Sequence, residues 1–111
     1  MKIAITSSDG KNLDTHLGKA TSLYIYDLDG ENTKFVEKRK TGIDTSKQHS
    51  GSLVLETAKD CKVVFSTKYG FKSKVKADDE KIKLVIDEGP IDEVLKRYIN
   101  HVNFMSKNIN I

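Results

Sequence analysis

The sequence predicts an α/β domain in which helices pack on a five-stranded mixed sheet. Three strand-like segments come first, and helix-like and strand-like segments then alternate along the chain. A hairpin followed by right-handed strand–helix–strand crossovers produces such a sheet. The length of 111 residues matches one ordinary domain.

Five segments have the composition of strands, being short, rich in β-branched or aromatic residues, and bounded by turn formers. Asp29-Gly30-Glu31-Asn32 predicts a tight hairpin between the second and third, because Gly and Asn accept a positive φ. The stretches 11–21 and Thr41–Ser50 have no clean period and are interpreted as loops. The predicted strands are Lys2–Thr6, Leu23–Leu28, Thr33–Lys38, Lys62–Ser66 and Lys81–Ile86.

Three segments have helical patterns. Gly51–Asp60 is predicted helical, with an apolar stripe that continues to Cys61, and Gly70–Ala77 is a short, weak helix. The turn Asp87-Glu88-Gly89-Pro90 precedes the third helix, because proline is tolerated where a helix starts. The apolar face of that helix consists of Ile91, Val94, Leu95, Tyr98 and Val102.

Beyond Asn103 the pattern loses its period, so we expect a single domain over residues 1–103 and a flexible tail over 104–111. No segment approaches the length of a membrane span, and polar residues follow Ile5 at once, unlike a signal peptide. A cytoplasmic location is therefore expected. The net charge of +3 mildly favours an anionic partner.

Several function classes find no support in the composition. The short run Glu37-Lys38-Arg39-Lys40 fits a strand end better than a nucleic-acid patch. The single cysteine, Cys61, rules out an intrachain disulfide and a self-contained four-cysteine site. The motifs G-x-S-x-G, H-E-x-x-H and C-x-x-C and the Walker loop are all missing from the sequence, so we do not expect an enzyme.

Three segments, taken in order, form a familiar pattern. The first is the opening strand and loop with Asp14-Thr15-His16-Leu17-Gly18. The second is Leu23-Tyr24-Ile25-Tyr26-Asp27, and the third is Asp60-Cys61-Lys62-Val63-Val64-Phe65 with Tyr69-Gly70 beyond it. Over about residues 1 to 100 the chain resembles the dinitrogenase iron-molybdenum cofactor biosynthesis family, which includes NifX-like nitrogenase accessory proteins and the C-terminal domain of NifB-like proteins.

The resemblance implies a ribonuclease-H-like motif with strand order 3-2-1-4-5 and strand 2 antiparallel. It also implies a protein that binds an iron-molybdenum cofactor or its iron-sulfur precursor cluster, with the motif histidine, here His16, holding the cluster. Two positions depart from the family pattern. Leu17 replaces the motif phenylalanine, and the usual glycine before the fifth strand falls near Lys81.

With that strand order, the carboxyl ends of strands 1 and 4 form a topological switch point, where open α/β sheets bind ligands. The loops beyond those ends are Ser7–Gly18 and Thr67–Phe71. Imidazole is a good iron ligand, and backbone N–H groups near Gly70 would offset the negative charge of a cluster. The candidate cofactor-binding residues are His16, Ser7, Ser8, Gly18, Lys68 and Gly70.

The candidate metal ligands are His16 and, after it, His49 and Cys61. Each candidate also has a structural interpretation. His49 could cap a helix or lie in solvent, Cys61 could be a small core side chain, and the Ser7–Gly10 stretch could be a simple turn. His101 is interpreted as a surface residue.

The function expected is therefore a binding or carrier protein for an iron-sulfur or iron-molybdenum cluster, acting as a monomer or weak homodimer with other cofactor-biosynthesis proteins as partners. The alternative is a regulatory or protein-interaction module that keeps the fold without a cluster. A nuclease is disfavoured, because metal-dependent nucleases of the ribonuclease-H-like fold need a carboxylate on the first strand and Lys2–Thr6 has none.

Overall fold

The computed structural model describes residues 1–46 and 50–109, with side chains through residue 105. The main strands are β1 (Lys2–Thr6), β2 (Ser22–Asp29), β3 (Asn32–Lys40), β4 (Val63–Ser66) and β5 (Lys83–Ile86). The α-helices are α1 (Gly51–Thr57), α2 (Phe71–Asp79) and α3 (Ile91–Ile109). A one-turn 3-10 helix spans Leu17–Lys19.

The expected five-stranded mixed sheet is confirmed, with hydrogen-bonded order β3-β2-β1-β4-β5. β2 runs antiparallel to both of its neighbours, whereas β1, β4 and β5 pair in parallel. The hairpin turn joins β2 and β3 as the sequence predicts, with Gly30 at φ 62°. β4 is buried along its whole length, as its continuous apolar run predicts for a central parallel strand.

Each face of the sheet carries its own core, because successive side chains on a strand point to opposite faces. Ala4, Ile25 and Val64 face the side covered by α1 and α2. Ile3, Ile5 and Phe65 face the side covered by α3. The Phe65 and Tyr98 rings meet edge to face with centroids 5.1 Å apart, which packs α3 against the sheet centre.

The structure corrects three boundaries. The 11–21 stretch is not all loop, because Asn12–Leu13 pairs in antiparallel fashion with Gly89–Pro90 from the turn before α3. α1 ends at Thr57, and a turn carries the chain on to Cys61. α3 continues to Ile109, where a tail is expected, because extending an established helix adds one hydrogen bond per residue and needs no apolar period.

Candidate functional site

The two central parallel strands end at the same edge of the sheet, and hydrogen bonds join the segments that follow them. The Leu17 N–H donates to the carbonyl of Lys68 at 2.9 Å, and the Thr67 N–H donates to the carbonyl of Thr15 at 3.2 Å. The Thr6 hydroxyl at the end of β1 donates to the same Thr15 carbonyl at 2.7 Å. These bonds hold the His16 segment beside the start of α2.

His16 caps the one-turn helix Leu17–Lys19, and its Nδ1 accepts a hydrogen bond from the Gly18 N–H at 3.1 Å. Partial burial, followed by the charges of Lys68 and Lys19, lowers the pKa of His16 below its ordinary value. The ring is therefore neutral near pH 7. Since Nδ1 is the acceptor, the proton of the neutral ring lies on Nε2.

A cavity of about 370 Å³ opens between His16 and the starts of α1 and α2. This volume falls within the range of small-molecule binding sites. Lys72 is the charged side chain in its wall, and the described residues place no carboxylate there. The residues that line it are His16, Gly18, Gly51, Ser52, Gly70, Phe71, Lys72 and Ser73.

The start of α2 presents unused backbone donors to this cavity. The first helical bond runs from the Lys74 N–H to the Gly70 carbonyl at 3.1 Å, so the three preceding N–H groups have no partner within the helix. Gly70 has no side chain with which to cap them. Together with the helix dipole, these N–H groups favour a negatively charged ligand.

Two serines that the sequence analysis missed lie near this end of the sheet. Ser73 is 7% exposed and lines the cavity. The Ser66 hydroxyl is fully buried and has no hydrogen-bond partner in the described part of the chain. Ser66 lies on the face of β4 that Val64 shares with α1 and α2. In the sequence, the signal that could have pointed to Ser66 is a polar residue at the end of an otherwise apolar strand.

Ser7 and Ser8 form the simple turn rather than a ligand cradle. The Ser7 hydroxyl accepts from the N–H groups of Asp9 and Gly10, at 3.3 and 2.9 Å. The Ser8 N–H donates to Asp14 at 2.9 Å. The Asp9 carboxylate accepts from the Lys11 N–H and the Asn12 N–H, and these bonds lower its pKa to about 2. The backbone donors of the turn are therefore used within it, and neither serine lines the cavity.

The other candidate residues differ in their position relative to the cavity. Gly18 and Gly70 line the cavity, whereas Lys68 contributes its carbonyl to Leu17 and its charge to the surroundings of His16. His49 lies outside the described residues. His101 is exposed on α3, as expected.

Cys61 lies far from His16. It is 2% exposed and packs with Val54 and Ala58 in the core, before the amino end of β4. His16 lies beyond the carboxyl end of β1, so the length of a four-residue strand, about 13 Å at ~3.3 Å per residue, separates the two regions. Burial raises the pKa of the Cys61 thiol to about 11, which disfavours the thiolate needed for ligation.

In the described part of the chain, no three His, Cys, Asp or Glu side chains gather as a metal site. Residues 1–46 and 50–109 also contain no helix that is long and apolar enough to cross a membrane. What the described residues do assemble is a cavity with one imidazole, the hydroxyls of Ser52 and Ser73, backbone N–H groups and cationic surroundings. Such an arrangement can hold an anion.

Comparison with known proteins agrees with this picture of the fold. PH0822 shares 24% identity, covers 91% of this chain and 92% of its own, and superposes with a TM-score of 0.76. The apo form of the orange protein from Desulfovibrio gigas shares 18% identity over 90% and 88% of the two chains, with a TM-score of 0.71. A candidate dinitrogenase from Methanocaldococcus jannaschii, mj0327, shares 18% identity over 91% and 89%, with a TM-score of 0.63. Such low identities establish the fold alone.

Sequence comparison identifies the family. None of the curated proteins matches this chain. The family model described as dinitrogenase iron-molybdenum cofactor, in contrast, matches residues 1–101, which include every strand of the sheet and the walls of the His16 cavity. The chain therefore belongs to the dinitrogenase iron-molybdenum cofactor family.

Proposed function

We propose that this protein binds an anionic metallocluster in the His16 cavity and carries it to another protein of cofactor biosynthesis. The cargo would be the iron-molybdenum cofactor or an iron-sulfur precursor of it, in keeping with the family to which the chain belongs. The observation that carries the proposal is that His16, Lys72 and the start of α2 converge on one cavity whose described walls hold no carboxylate.

The sparse set of metal-binding side chains supports carriage rather than permanent binding. A cluster held by many protein ligands is released slowly, whereas one held by few contacts can be passed on. Among the described residues that line the cavity, His16 is the one whose side chain commonly ligates metals. The positive surroundings of that histidine, Lys19 and Lys68, add long-range attraction for a negative cargo.

We infer a binding role rather than a catalytic one. The strand order and the antiparallel β2 support a ribonuclease-H-like classification of the sheet. The catalytic carboxylate of such nucleases has no counterpart on β1, whose residues are Lys2, Ile3, Ala4, Ile5 and Thr6. Shared architecture does not carry over the chemistry when the site residues differ.

A protein-interaction module is the second candidate function, and one observation favours it. The distal turns of α3 expose Val102, Phe104 and Met105, of which Phe104 is 62% exposed. Exposed apolar side chains of this kind mark protein contact sites when they are contiguous. This surface is compatible with a carrier that must dock on a recipient.

The test is anaerobic mixing of the purified protein with isolated iron-molybdenum cofactor, and separately with its iron-sulfur precursor, followed by gel filtration and iron analysis. We expect one cluster per chain to co-elute with the wild type and little with His16→Ala. His101→Ala is the matched control, because His101 is exposed on α3 and lies outside the cavity wall. Absence of iron from the wild-type peak would leave the interaction module as the better explanation.

A further inference from the structure

We propose that His16 holds the cargo as a hydrogen-bond donor through Nε2–H, and not as a ligand to iron. The cavity would then recognise the acceptor atoms on the surface of an anion, such as sulfide, oxide or carboxylate. This inference rests on the proposed function for the identity of the cargo. The assignment of His16 as a donor depends only on the hydrogen-bond geometry around its ring.

The first step is the hydrogen bond between the Gly18 N–H and His16 Nδ1, at 3.1 Å. A backbone N–H is always a donor, so Nδ1 must offer its lone pair and the proton of the neutral ring must lie on Nε2. Ligation of a metal by Nε2 would require the proton to move to Nδ1. Two donors, Nδ1–H and Gly18 N–H, would then face each other at hydrogen-bonding distance.

Ligation through Nδ1 is disfavoured for a related reason. Nδ1 would have to exchange the Gly18 N–H for the metal, and that N–H would lose its partner at a partly buried position. The 3-10 helix Leu17–Lys19 would lose its cap at the same time. Only donation from Nε2–H keeps the local structure as it is.

The second step is that the other groups in the cavity wall are also donors. Ser73 is 7% exposed and lines the cavity, and its hydroxyl can donate a hydrogen bond. The backbone N–H groups at the start of α2 lack helical partners, and the Lys72 side chain adds a positive charge to the wall. A ligand that accepts hydrogen bonds would pair with these donors.

The third step concerns what such a site selects. An anion that already has a complete set of its own ligands offers acceptor atoms to these donors and needs no metal–protein bond. Release then requires only that hydrogen bonds exchange with water or with a recipient. The chemical class is a compact oxo, thio or carboxylate-bearing anion, and simple tetrahedral oxyanions should enter the same cavity.

His16→Gln separates donation from ligation, because a glutamine amide can donate a hydrogen bond but is a poor ligand for iron. Isolated iron-molybdenum cofactor is titrated anaerobically into the wild type, His16→Gln and His16→Ala, with folding verified by circular dichroism. We expect His16→Gln to bind within about threefold of the wild type and His16→Ala to bind about tenfold or more weakly, consistent with loss of a hydrogen bond to a charged partner. Equal loss of binding in both folded variants would overturn the proposal.

A second measurement uses only the wild-type protein and molybdate, so it does not depend on the cluster or on the folding of a variant. Nitrogen-15 NMR should show His16 Nε2 protonated before and after addition of molybdate, with a shift of the Nε2–H signal and an unchanged Gly18 N–H. Sulfate should act in the same way. Saturable molybdate binding without cluster binding would reject the proposed cargo but uphold the donor role of His16. An Nε2–H signal that does not respond to millimolar molybdate would refute the donor role.

Discussion

Gly51, the first residue of α1, lies directly against Ser73 of α2, so closely that a Cβ atom on residue 51 would overlap the Ser73 hydroxyl oxygen. The contact brings the starts of two helices together at the wall of the His16 cavity. Glycine is needed here for space and not for backbone conformation. The width of the cavity therefore depends on the absence of one methyl group.

Gly51→Ala should destabilise the fold, because the new methyl group must displace either Ser73 or the start of α1. Overpacking of this kind costs about 1 to 3 kcal/mol. The measurement is the free energy of unfolding from urea denaturation. In a Ser73→Ala background the same substitution should cost less, because the overlapping hydroxyl is gone and the nearest remaining atom, the side-chain Cβ, is at 3.4 Å. Additive effects of the two substitutions would contradict this interpretation.

Arg39 on β3 clamps the segment between α1 and β4. It donates to both carboxylate oxygens of Asp60, at 2.6 and 2.8 Å, and to the Thr57 carbonyl at 3.0 Å. Arg39→Lys keeps the charge but loses the two-pronged geometry, so we expect it to lower the free energy of unfolding by about 1 to 2 kcal/mol. Lys2→Ala removes an exposed partner of Asp60 and should cost about 0 to 1 kcal/mol.

Acid should weaken the same clamp. The hydrogen bonds from Arg39 hold the pKa of Asp60 far below its ordinary value of 3.8. A carboxylate whose pKa is depressed in the folded state stabilises the fold above its unfolded pKa and loses that contribution as pH falls below it. Urea denaturation between pH 5 and 2 should therefore show a smaller acid dependence for Arg39→Ala than for the wild type. Parallel curves for the two proteins would mean that Asp60 titrates independently of Arg39.

Cys61 should be unreactive in the folded protein. Burial raises its pKa to about 11, so the thiolate is scarce at pH 8, and the side chain is 2% exposed. We expect alkylation by iodoacetamide to be slow in buffer and fast in denaturant. Cys61→Ala should bind cluster as the wild type does, since Cys61 lies at the opposite end of β4 from the cavity. Loss of binding in a folded Cys61→Ala variant would place Cys61 in the site.

His16 should titrate below the ordinary histidine pKa of 6.5, with burial as the main cause and Lys68 as the next. In Lys68→Ala the pKa should rise but stay below 6.5, because burial remains. The unfolded state binds more protons than the folded state just below pH 6.5, so this group makes the protein less stable as pH falls through that window. NMR titration of His16 measures the shift directly, and an unchanged pKa in Lys68→Ala would exclude the charge effect.

The sequence by itself determined the local elements. The β-branched strands, the Asp29–Asn32 hairpin and the helix after Pro90 depend on neighbouring residues, and the structure confirms them within a few positions. It also pointed to the family and to His16 as the residue of interest. The predicted helices and strands agree with the structure because local propensity and apolar periodicity depend on short stretches of chain.

Tertiary structure alone decided which candidates meet. Ser7 and Ser8 were candidate cofactor-binding residues, but their hydrogen bonds are made to Asp9, Gly10 and Asp14. Ser73 lies in the cavity wall because α2 packs against Gly51. The two residues are 22 positions apart, so no local sequence pattern predicts their contact. A single backbone N–H, that of Gly18, decides that the proton of the neutral His16 ring lies on Nε2. Long-range packing and hydrogen-bond geometry set these details, and neither is encoded in the spacing of residue types.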